Sequence, residues 1–214
     1  MGDESSVLIG IAADAFRIES DCLKEAFSAV NTASFIQAVD LLSHAERIAA
    51  SGCGHSGIAC QHFAHLMCCI ERPARFISPS EAVHGALGFV QKGDVMLLAS
   101  RGGNTQELLP ILEICNKKGV STIAVTENME SSLAKGARVV LQMRINREVD
   151  KYNSQGTTSF TMLNVLFDSL QAAIIEKTGY QNKQFALIHP GGAVGQRLNT
   201  LLNDSNDKGK DQNC

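Results

Sequence analysis

The chain has 214 residues, 44% of them hydrophobic, with a formal net charge of −3 and a pI near 6.1. That is enough apolar material for one large domain, and the 19 dispersed Lys and Arg residues lack the clustered charge of a nucleic-acid binder. No unbroken apolar run reaches the roughly 18–20 residues of a membrane span, and Met1-Gly2-Asp3-Glu4 lacks the positive region of a signal peptide.

In chain order, the first 45 residues carry apolar positions at spacings of three and four, among them Ile11, Ala15, Ile18, Cys22, Ala26 and Ala29, and predict an amphipathic N-terminal helix. Five short β-branched runs follow: Arg47–Ser51, Ala74–Ser78, Asp94–Ser100, Ser121–Thr126 and Arg138–Met143. Helical patterns separate most of them. Runs with little alternation suit strands buried on both faces, and strand–helix alternation predicts right-handed crossovers in a parallel sheet. The expected architecture is a three-layer α/β/α sandwich. An irregular stretch, Arg144–Gly156, precedes a long helix over Thr157–Lys177, and His189-Pro190-Gly191-Gly192 reads as a turn. Residues 1–202 are expected to form one domain, and the polar segment 203–214 to be a disordered tail. Seven cysteines, mostly inside regular apolar segments, fit reduced thiols and a cytoplasmic location.

In parallel sheets ligands bind beyond the carboxyl ends of the strands, and two glycine-rich loops lie there. Gly52-Cys53-Gly54-His55-Ser56-Gly57 follows the first strand and opens a helix, where free N–H groups can receive an anion. Its G-x-G-x-x-G spacing also fits a dinucleotide site or a tight turn without a ligand. A dinucleotide would need an acidic residue ending the second strand, which instead ends in Ile77-Ser78-Pro79. The second loop, Ser100-Arg101-Gly102-Gly103-Asn104-Thr105, ends the most hydrophobic run and precedes a helix expected to start near Thr105. Its backbone N–H groups and hydroxyls can surround a phosphate. If the two strands are adjacent, one phosphorylated ligand can span both loops. Arg101 is open to either a phosphate or carboxylate contact or a surface salt bridge.

His62, His65 and Cys69 share a helical face, which permits a metal reading, but packing of that helix on the sheet is favoured and no metal is expected. Ser56 beside His55 lacks the strained elbow of a hydrolase nucleophile.

Four ordered motifs then resemble the sugar isomerase (SIS) family, and within it the KpsF/GutQ-like arabinose-5-phosphate isomerase group. They are the 52–57 loop, Pro79–Gly88, Ser100–Glu107 and Ala186–Gly195, and the resemblance runs from about residue 10 to residue 200. It implies a five-stranded flavodoxin-like parallel sheet and a homodimer or homotetramer with active sites between subunits. It implies further that Ser56, Ser100 and Thr105 hold the phosphate of a sugar-phosphate substrate, with Gly54, His55, Arg101, Gly103 and Asn104 around them. His84, Glu107, Glu148 and His189 match the proposed catalytic set. This chain departs from the pattern at His55, where the isomerases usually carry lysine, and in the stretch Asn153–Ser159. Many members also carry C-terminal CBS modules. This chain stops shortly after Arg197, so regulation through such modules is expected to be absent.

The implied chemistry is aldose–ketose isomerisation through an enediol. It needs a base, an acid–base group for ring opening and a phosphate grip, but no redox cofactor. Glu107 or Glu148 would serve as base, and His84 and His189, which titrate near neutrality, as proton shuttles. A noncatalytic phosphosugar sensor and an amino-sugar phosphate isomerase or lyase share these loops and are the alternative readings.

Overall fold

A computed structural model describes residues 2–200; the predicted tail, 203–214, lies outside the described residues. Five parallel strands, β1 (Ile48–Gly52), β2 (Ala74–Phe76), β3 (Val95–Ala99), β4 (Ser121–Thr126) and β5 (Val139–Gln142), pair in the order β2-β1-β3-β4-β5. β1 and β3 are buried at every position, which is why they read as unbroken apolar runs. Alternation divides their side chains between two cores. Ile48, Ala50, Val95, Leu97 and Val125 point into one, and Ala49, Met96, Leu98 and Ala124 into the other.

The first core is closed by α1 (Gly2–Ala26), α2 (Thr32–His44), α3 (Gly54–Cys68) and α7 (Thr157–Thr178). The second is closed by α4 (Pro79–Ala82), α5 (Leu109–Lys118) and α6 (Ser132–Gly136). The three-layer sandwich expected from the sequence is therefore present.

The N-terminal region is two helices. Its periodic stripe breaks at the 3₁₀ turn Phe27–Ala29, and Asn31 restarts it by accepting the Ser34 N–H at 2.9 Å, an N-cap. Only the end of α1 is covered: Cys22 and Ala26 are buried, whereas Val7, Leu8, Ile11 and Phe16 of the same helix are exposed. α7 alone among the described helices has the length and apolar content to cross a bilayer, and here its apolar face packs on α2 and α3.

After α7 the chain turns to α8 (Asn182–Ile188) and a last helical segment over 192–200. α8 docks where α3 ends and β2 is about to begin: Gln184 Nε2 donates to Glu71 Oε2 at 3.1 Å, and Tyr180 OH donates to the Cys69 carbonyl at 3.0 Å. That is the amino-terminal end of the sheet. The six described cysteines carry no disulfide, and burial pushes the thiols of Cys60 and Cys115 up to about 12 and about 11.

Candidate active site

The adjacency of β1 and β3 brings both glycine-rich loops to the carboxyl edge of the sheet, at the point where strand order reverses. A cleft of about 420 Å³ opens there, between the start of α3, the end of β2 and the loop after β3. Gly54, Cys53, Gln61, Ser78 and Glu107 are among the residues lining it.

The 52–57 loop has its glycines for two different reasons. A Cβ on Gly57 would lie 2.6 Å from the Gly52 carbonyl oxygen, and one on Gly52 would lie 2.9 Å from the Ser56 backbone, so these two let β1 and α3 touch main chain to main chain. Gly54 instead takes φ +53° with open space around it. The first intrahelical bond of α3 is Gly57 N to the Cys53 carbonyl at 3.2 Å, and the Cys53 side chain caps nothing. The N–H groups of Gly54, His55 and Ser56 precede that bond, as unpaired donors at the positive end of the helix.

In the loop after β3, Ser100 Oγ and Thr105 Oγ1 lie 2.8 Å apart, and the Gly103 N–H donates to Ser100 Oγ at 3.1 Å; like Ser56, these two residues are not among those lining the cleft. Gly103 needs its φ of +70° and its missing side chain, because a Cβ there would meet Ser131 Oγ at 2.1 Å. Asn104 ties the loop to α6 by accepting the Ser132 N–H at 2.9 Å. The helix after this loop begins at Leu109, not near Thr105. A start at Thr105 would place Pro110 where an N–H must reach the Gln106 carbonyl; with α5 beginning at Leu109, Pro110 falls in the first turn, where none is required. Glu107 therefore sits in the turn before the helix. The Cys53 thiol is pushed up first by burial and then by the Glu107 carboxylate, which marks the two as neighbours across the cleft.

The other candidate residues are distributed differently. His55 turns from the cleft towards α7: its ring centroid is 5.9 Å from that of Phe160, and a Cβ on Gly156, the N-cap of α7, would fall 2.9 Å from its Nδ1. The two departures noted in the sequence, His55 and the 153–159 stretch, thus meet in space. Arg101 takes the ion-pair alternative, donating from Nε to Glu127 Oε2 at 2.8 Å and from Nη1 to Glu148 Oε1 at 2.7 Å. Glu148 is fully buried. His84 is exposed in the turn after α4 and does not line the cleft. His189 ends α8, its ring 4.9 Å from Phe185, with a buried Nδ1 that has no partner among the described residues. It does not line the cleft.

Of the four proposed catalytic side chains only Glu107 lines the cleft. Cys53 and Gln61 line it unforeseen, and Glu127 completes an ion-pair cluster whose only sequence signal is an acid directly after the β4 run. The metal reading of α3 finds His65 Nε2 3.6 Å from Cys69 Sγ and His62 3.7 Å from Asp168. No cluster of three metal-ligating side chains occurs among the described residues.

A parallel sheet of this order with glycine-rich loops at its reversal point defines a flavodoxin-like α/β domain, and residues 41–170 match the SIS domain family; the chain belongs to it. It is 36% identical to the arabinose 5-phosphate isomerase KdsD of Pseudomonas aeruginosa over 171 residues, covering 79% of this chain and 52% of that protein. It is 36% identical to an Escherichia coli arabinose 5-phosphate isomerase, KpsF, over 154 residues, covering 72% and 49%. The chain thus spans about half the length of these curated relatives. Among solved structures it is similar to a Listeria monocytogenes protein described as a candidate sugar-phosphate isomerase, with TM-score 0.85 and 34% identity over 87% of this chain and 98% of the other. An Escherichia coli protein in complex with arabinose 5-phosphate superposes with TM-score 0.81 at 28% identity, over 86% and 98%.

Proposed function

We propose that this chain interconverts an aldose phosphate and its ketose isomer through an enediol, with arabinose 5-phosphate and ribulose 5-phosphate as the nearest pair. The observation that carries this reading is the shared cleft: Glu107 lines the same space as Cys53 and Gly54, where α3 opens with its positive end. The phosphate binds the N–H groups that open α3 together with the Ser100 and Thr105 hydroxyls. Glu107 then takes the C2 proton of the open-chain aldose and returns it to C1. Glu148 is less suited to that task, because both of its carboxylate oxygens already accept hydrogen bonds.

Ring opening and hydroxyl proton shuttling fall to His84 and His189. His189 does not line the cleft of its own chain, so in this reading it reaches the cleft of a neighbouring copy. The exposed apolar half of α1 supports a homo-oligomer. We further propose that residues 1–202 act as one SIS unit in the cytoplasm.

Incubation with arabinose 5-phosphate in deuterium oxide, followed by NMR, tests the reading. Ketose formation with deuterium at C1 or C2 is expected. A thermal shift with the sugar phosphate but no turnover would replace the isomerase with a phosphosugar sensor, which has the same need for the loops and none for Glu107.

A further inference from the structure

The β3–α5 loop is braced from behind by a partly buried ion-pair cluster that joins three loops at the carboxyl edge of the sheet. Arg101 is its centre. The Arg101 carbonyl accepts from Thr126 Oγ1 and from the Glu127 N–H, both at 2.9 Å, and its guanidinium donates to Glu127 and Glu148. Glu127 Oε1 in turn accepts the Ile145 N–H at 3.4 Å. One cation facing two carboxylates leaves a local formal charge of −1, which would repel a phosphate dianion from this guanidinium. The arginine of the phosphate loop is therefore committed to the protein.

Glu148 is the buried pole of the cluster. Its Oε1 takes Arg101, and its Oε2 accepts from the Ser159 N–H at 3.1 Å and Thr157 Oγ1 at 3.4 Å. Its own N–H donates to Asn153 Oδ1 at 2.6 Å. Thr157 and Ser159 are the first and third residues of α7, whose N-cap, Gly156, has no side chain to cap with. Glu148 supplies from outside the helix the acceptor that an N-cap side chain normally provides, and places its negative charge at the positive helix end.

We propose that Glu148 is a positioning residue: through Arg101 on one oxygen and the first turn of α7 on the other, it fixes the Ser100–Thr105 loop relative to the His55–Gly156 contact. No proton of the substrate passes through it. The proposal rests on the phosphate-loop reading above and adds to it a division of labour between two carboxylates, with chemistry at Glu107 and geometry at Glu148.

The test measures arabinose 5-phosphate binding by calorimetry and turnover by NMR for wild type, Glu148→Gln, and the charge-free pair Arg101→Gln/Glu148→Gln. Glu148→Gln can still accept the Ser159 N–H but leaves Arg101 one carboxylate short. Its Kd and KM are expected to rise about tenfold or more, with kcat falling by less than KM rises. The pair removes both ends of the link to Glu148 and leaves without its cation only Glu127, which is about a third exposed, so it should fold and recover part of the affinity. A fall in kcat of about a thousandfold with KM and Kd unchanged would overturn the proposal and make Glu148 a chemical participant. If Glu148→Gln does not fold, the pair decides alone: measurable turnover supports a positioning role, and tight binding without turnover overturns it. Should wild type bind no sugar phosphate, the phosphate-loop reading fails first and the positioning role with it.

Discussion

Glu107 stands in a turn ahead of α5, and its companions in the cleft are backbone donors, a neutral thiol and a glutamine. A carboxylate so placed can move a proton without competing with a nearby ion pair. Glu107→Gln is expected to lower kcat by about 10²- to 10⁴-fold, the usual worth of a positioned base, while arabinose 5-phosphate still raises the melting temperature. Near wild-type turnover in the NMR assay would remove it as the base. Ser100 and Thr105 hold each other at 2.8 Å, and in the proposed function their hydroxyls donate to the phosphate. Hydrogen bonds to a charged group are worth about 1.5–3 kcal/mol, so alanine at either position should raise KM about tenfold or more with a smaller change in kcat. An unchanged KM in both variants would withdraw the phosphate role.

At the scale of elements, the tip of the β5–α7 loop is gathered around the Asp150 carboxylate. Asp150 accepts the N–H groups of Tyr152, Ser154 and Gln155 at 2.9–3.0 Å. These bonds, led by that of Gln155 and opposed by burial, hold its carboxyl below the usual carboxylate range. A depressed folded value means the clasp contributes fully above the unfolded pKa of about 3.9 and is lost as pH falls through the lower folded one. Asp150→Asn should therefore melt below wild type at pH 7, and the gap should close below about pH 4 in a thermal-melt series. A gap independent of pH would show that the charge plays no part. The elements themselves were legible to different degrees. Ser121–Thr126 is β4 residue for residue, because a fully buried parallel strand has an apolar run and sharp ends. The start of α5 was misplaced by four residues because its periodicity extends into the turn, and only the backbone requirement of Pro110 decides the boundary. The break between α1 and α2 carried a readable signal in Asn31, whereas the pairing of Arg101 with residues 26 and 47 positions away is a product of sheet order and leaves no local trace.

For the whole molecule, the sandwich and its cleft could be read from strand–helix alternation and two loops, but the distribution of the catalytic candidates could not. His189 follows α8, which docks through Gln184 on Glu71, and it stays out of the cleft that Glu107 lines, a placement that no motif spacing encodes. A neighbouring copy supplying His189 makes a direct prediction. Glu107→Gln and His189→Ala, each inactive as a homo-oligomer, should regain up to about a quarter of wild-type activity when co-expressed, since mixed assemblies hold sites with both intact residues. Activity no greater than the sum of the separate variants would mean that His189 is not supplied by a neighbouring copy.

The uncovered half of α1 has its own consequence for handling this protein. Val7, Leu8, Ile11 and Phe16 form part of an apolar surface that a lone subunit presents to water. If that surface is a contact between copies, a subunit released on dilution or gentle warming would retain its sheet and cleft yet adsorb to vessel walls and precipitate, so that loss of activity on storage would be irreversible long before the fold itself melts.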